Sequence, residues 1–234
     1  MTIGLVFLSA LMAAIVWWLF RQTINVQPWQ AQLAAPRVRG DAANWTRPAA
    51  KTALWVFLAV ATSLFVLFVS AYAMRLDLAD WTPLPRPRLL MLNTALLVGA
   101  SLAMQWTVHA ARRAGRDTVR RALAVSGLLT FGFLAGQLFV WKQLNDAGYF
   151  VSSSAASSFF YLLTAVHGMH VLGGLVAWAR ASLRAWRGTD AARIRLGVEL
   201  CATYWHYLLA VWVVLYALLA SEGVGLAICS SGSL

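Results

Sequence analysis

Six stretches of the chain are apolar over about the length that crosses a bilayer: residues 3–20, 53–74, 89–110, 122–141, 158–179 and 200–220. A hydrocarbon core about 30 Å thick takes about 20 helical residues. The pattern therefore predicts an all-α, polytopic membrane helix bundle of about six transmembrane helices. The third window departs most from the pattern, because it carries Asn93, Gln105 and His109. The first has no basic residue ahead of its apolar run and ends in WWLFR rather than at a small-residue cleavage site, so it reads as a retained helix and not a signal peptide.

The polar positions collect between these windows and set the orientation. Fifteen of the Lys and Arg residues fall in the first, third and fifth connections, and four in the second and fourth. Basic loops stay in the cytoplasm, so the odd loops are expected inside and both termini on the periplasmic side. Tryptophans near the window ends (Trp17, Trp18, Trp55, Trp81, Trp141 and Trp178) fit interfacial belts. The second connection, DLADWTPLPRPRLL, has three prolines and cannot be helical throughout. The organisation that follows is an N-terminal transmembrane helix with a cytoplasmic loop at 1–50, a five-helix core at 51–220 and a periplasmic tail at 221–234.

Composition agrees with this picture. Of 234 residues, 61% are hydrophobic and 12% charged, too apolar for a soluble domain of this size. The net charge of +11 would suggest nucleic acid in a soluble protein, but its carriers sit between apolar runs, where membrane orientation accounts for them. Arginine outnumbers lysine 17 to 2, as in GC-rich bacterial genomes, and a bacterial inner membrane is the expected location. The two cysteines form no CxxC or CxxCH motif, and no Gly-rich phosphate loop, GxSxG or HExxH is present.

Few costly residues remain inside the spans: Gln137 on the fourth, His167 and His170 on the fifth, and Glu199 and His206 on the sixth. His167 and His170 are three apart on one helix face. Glu199 and His206 are seven apart, which puts His206 about 10 Å deeper than a rim-level Glu199. Two readings fit these residues. One is a ligand set or proton relay, since histidines bind haem and copper. The other is a structural polar network of interhelical hydrogen bonds, helped by small residues such as Gly168, Gly173 and Gly174. Arginines at the cytoplasmic rim, such as Arg180 and Arg195, are candidates for lipid phosphate contacts.

Three motifs carry a family resemblance over about residues 51–220. HGMHV (167–171) resembles the HGLHV of haem–copper oxidase subunit III, and Glu199 followed by TYWHY, with seven residues from Glu199 to His206, resembles its E…WYWHF. WVFLA (55–59) resembles its WLFLASE. Among these the chain most resembles cytochrome c oxidase subunit III. The resemblance implies a subunit with no catalytic residue, metal or cofactor of its own. Haems and copper would belong to partner subunits I and II, and this chain would pack on subunit I. It would hold phospholipids and sustain proton uptake. Where the family has buried acids, this chain has Ala61, Val140 and Leu209. A quinol-oxidase subunit III or a nitric-oxide-reductase accessory protein would share the fold. A stand-alone membrane cytochrome b, with the histidines as axial ligands, is the alternative of another class.

Overall fold

The computed structural model of the chain describes residues 42–76, 81, 84–85, 88–113, 115–188 and 191–230, together with Trp17, and side chains between 49 and 220. The first expected span, apart from Trp17, lies outside the described residues. Five helices account for the remainder: α1 (Ala42–Arg75), α2 (Leu89–Arg113), α3 (Arg116–Asp146), α4 (Ala155–Arg187) and α5 (Ala191–Ser230). All five are long and apolar enough to cross a membrane. The shortest, α2, has 25 residues, about 37 Å of helix at 1.5 Å per residue.

Two helices run beyond the apolar windows. α1 starts at Ala42 and takes in part of the expected first connection, and α5 continues through much of the expected tail to Ser230. Hydrophobicity marks the membrane-crossing part of a helix, while backbone hydrogen bonding continues as far as the chain permits.

The helix ends follow from local chemistry. Ser154 caps α4 by accepting from the Ser157 N–H at 3.2 Å. Gly188 ends it in the left-handed conformation with φ 71°, a geometry glycine adopts without steric cost. Arg112 and Arg113 close α2, and Arg184 and Arg187 close α4, so basic residues meet the negative ends of both helix dipoles. The same residues supply much of the charge asymmetry between the loops.

The chain divides into two compact units, residues 1–70 and 71–234. In the first, Leu58, Ala61 and Phe65 recur every three to four residues as a buried stripe on α1. In the second, α2 packs on α3 and α5, and α4 packs on the same two helices, giving a ring of four neighbours. Tyr72, at the end of α1 and fully buried, meets Trp81 and Phe159 edge-on at 5.2 and 5.7 Å. This aromatic cluster ties the segment after α1 to the start of α4.

Candidate functional site

The interior of the second unit is joined by hydrogen bonds between helices rather than by apolar packing alone. Three tryptophans share one device. Trp205 and Trp212 on α5 donate their indole N–H groups to Thr130 on α3 and Thr94 on α2, at 3.1 and 3.0 Å. Trp141 on α3 donates to Thr164 on α4 at 3.1 Å. Each threonine hydroxyl spends its proton on the carbonyl one turn back in its own helix, leaving a lone pair for the indole. A fourth, Trp178, donates to the Leu123 carbonyl at 3.0 Å and lies against Gly127. Trp141 and Trp178 thus turn their polar edges onto neighbouring helices, where the sequence pattern alone places them in interfacial belts.

The five residues singled out from the sequence go to separate places. Gln137 accepts from the Asn93 amide at 3.3 Å, a buried pair between α3 and α2. Asn93 lies directly over Gly136, where a Cβ would fall 2.0 Å from its Oδ1. His167 is fully buried, its ring tilted against Trp212 at 5.1 Å and facing the edge of Phe133 at 5.8 Å. His170 donates from Nδ1 to the Val166 carbonyl on its own helix, and its carbonyl accepts from the Tyr204 hydroxyl, both at 2.8 Å. His206 reaches α2: its Nε2 lies 3.0 Å from Gln105 Oε1, and its Nδ1 bonds the Ser101 hydroxyl. A carboxamide oxygen only accepts, so Nε2 is the donor and, in the neutral ring, Nδ1 accepts the Ser101 proton. Glu199 receives Arg112 from α2 at 3.0 Å and Arg195 from its own helix at 3.2 Å, both on Oε1.

Among the described residues, no group of three or more His, Cys, Asp or Glu is placed to hold a metal. The small residues also sort themselves. Gly174 receives the Tyr204 ring, with a Cβ position only 2.7 Å from it, whereas nothing lies within 4 Å of the Cβ positions of Gly168 and Gly173. Helix approach therefore depends on Gly174 of the three named from sequence, and also on Gly127 and Gly136.

The profile of the family described as cytochrome c oxidase subunit III matches residues 5–223. The chain belongs to the cytochrome c oxidase subunit III family. A probable cytochrome c oxidase subunit 3 of Nocardia farcinica is 33% identical over 141 residues, covering 59% of this chain and 70% of the relative. The corresponding protein of Mycobacterium tuberculosis is 31% identical over 126 residues, 54% of this chain and 62% of the relative. The cytochrome c oxidase subunit 3 of a Synechocystis species is 28% identical over 169 residues, 70% and 71% of the two chains. The matched part thus spans less than two thirds of the mycobacterial relative's length. Of the three positions where the resemblance would place acids, Ala61 and Val140 are buried apolar side chains and Leu209 is half-buried.

The partners of the five singled-out residues carry the weakest signal in the sequence. Asn93 and Gln105 stood out only as blemishes in an apolar window, yet they complete the Gln137 and His206 contacts. Thr94, Thr130 and Thr164 carry no motif. Two tryptophans seven residues apart in mid-span, Trp205 and Trp212, were the available signal.

Proposed function

We propose that this chain is the accessory, cofactor-free subunit III of a haem–copper terminal oxidase of the cytochrome c oxidase type, working in aerobic respiration in a bacterial inner membrane. It packs on subunit I, in a complex with subunit II, and stabilises the catalytic subunit. It holds phospholipids, with Arg180 and Arg195 near their phosphates, and sustains proton uptake during turnover. Both termini lie on the periplasmic side. The match across residues 5–223 carries this reading. The commitments of the histidines support its cofactor-free part. Both ring nitrogens of His206 are engaged by α2, and the His167 ring is walled by Phe133 and Trp212.

Affinity purification of the tagged chain from membranes of its own cells tests the reading. Haem- and copper-bearing subunits I and II should come with it, and the chain separated from them should be colourless. A haem spectrum that stays with the separated chain would favour the membrane cytochrome b instead. Oxidase purified without this subunit should lose activity faster during turnover than the complete complex. Equal lifetimes would remove the proton-uptake role.

A further inference from the structure

Helices facing lipid should be apolar on their outer side, and two helices of the ring obey this. On α3 the outward residues include Leu128, Phe131 and Leu138, and on α4 they include Leu162, Met169 and Leu172. The α2/α5 seam does not. The outward row of α2 runs Val98, Leu102, Gln105, His109, Arg112, so it is polar over the half nearest the Glu199 ion pair. On α5, His206 is exposed beside Gln105, seven residues above Glu199 and so about 10 Å deeper. Ionisable and amide groups within spans almost always face a bundle interior or a water-filled cavity, because acyl chains offer no hydrogen bond. Here they face out of this chain's own ring of helices.

We propose that this face seats a transmembrane helix of a partner subunit, and that the partner presents a hydrogen-bond acceptor to Gln105 and a donor one turn nearer the ion pair, to His109. The inference rests on the subunit III reading. The required chemistry follows from what the two side chains have left. Gln105 Oε1 accepts from His206, and among the described residues its NH₂ group makes no hydrogen bond. His109 donates from Nδ1 to the Gln105 carbonyl at 2.8 Å, which leaves Nε2 as an acceptor. A second copy of this chain fits poorly. A two-fold axis along the membrane normal puts equal depths opposite each other, so donor would meet donor at Gln105 and acceptor would meet acceptor at His109. A lipid phosphate stays at the membrane surface, well above the Gln105 level.

The test uses the complex purified from membranes, with a benzophenone amino acid in place of Leu102, which is 65% exposed beside Gln105, or of Leu128, which is 73% exposed on α3. Illumination should join position 102 to another subunit and position 128 only to lipid. Because His109 makes no bond to another helix of this chain among the described residues, His109→Leu should lower retention of the subunit through detergent washing. His109→Gln, which keeps an acceptor, should restore it. Oxidase present but position 102 joined to lipid, to a second copy or to α1 of the same chain overturns this inference alone, as does unchanged retention of His109→Leu. Absence of oxidase subunits from the preparation overturns the functional reading and this inference with it.

Discussion

Trp205, buried on α5, donates its indole N–H to the Thr130 hydroxyl on α3 at 3.1 Å, while that hydroxyl gives its own proton to the Ser126 carbonyl at 2.8 Å. The arrangement satisfies three polar groups in a place without water, and it repeats at Trp212–Thr94 and Trp141–Thr164. Thr130→Val keeps the shape and removes the acceptor. Interhelical hydrogen bonds in membranes contribute about 0.6 kcal/mol on average and about 1.7 at most. A double-mutant cycle of Thr130→Val with Trp205→Phe, read by denaturant or steric-trap unfolding in lipid, should give a coupling in that range. A coupling indistinguishable from zero would mean that the pair is close without contributing.

Gly127 is predicted to resist substitution. An added Cβ would lie 2.2 Å from Trp178 Cζ2, so the indole must leave its place and its bond to the Leu123 carbonyl. Overpacking of this kind costs about 1–3 kcal/mol. Gly127→Ala should lower the thermal midpoint of the purified complex, while Gly173→Ala, with nothing within 4 Å, should leave it unchanged. Equal midpoints for the two variants would show that Trp178 moves aside without penalty.

The sequence pattern located the second to sixth spans, because a membrane-crossing stretch is a one-dimensional property of hydropathy. It also picked out His206 and Gln137, since a polar residue in an apolar run is conspicuous. It could not pair them. The partner of His206 lies about a hundred residues away on α2, and which faces of α2 and α5 meet depends on packing that spacing alone does not encode. Depth along each helix was legible, as in the seven residues that put His206 deeper than Glu199. Rotation about each helix axis was not legible, and it sends His206 toward Ser101 and Gln105, His167 toward Phe133 and Trp212, and His170 onto its own backbone.

The Glu199 ion pairs should contribute little to stability. Arg112 and Arg195 are about half exposed, and exposed pairs are worth about 0–1 kcal/mol and are screened by salt. Glu199→Gln should therefore shift stability by less than about 1 kcal/mol at low salt and by less still in molar salt. A larger, salt-independent loss in unfolding measurements would indicate that Glu199 is buried against another chain in the complex.

Orientation can be read by labelling. Gly115, between α2 and α3, has nothing within 4 Å of its Cβ position, and Ser152, before α4, is exposed. With Cys201 and Cys229 replaced by serine and the basic loops in the cytoplasm, Gly115→Cys should be shielded from an impermeant thiol reagent added to intact spheroplasts, and Ser152→Cys should react. The reverse pattern would invert the topology.

His206→Leu separates a structural histidine from a ligand. The variant loses the bonds to Ser101 and Gln105 that join α5 to α2. At about 0.6 kcal/mol each on average, their loss should loosen the subunit and lower its retention in the complex without unfolding the ring. A metal or haem ligand behaves differently: it needs a ring nitrogen with a free lone pair aimed at the metal, and a partner for the other nitrogen. In His206 one nitrogen donates to a carboxamide oxygen and the other accepts from a hydroxyl, so neither lone pair is left over. Haem and copper per complex, by pyridine haemochrome and metal analysis, should therefore match wild type in His206→Leu, while the fraction of subunit retained falls. Loss of one haem or copper equivalent with retention unchanged would make His206 a ligand and overturn the cofactor-free reading.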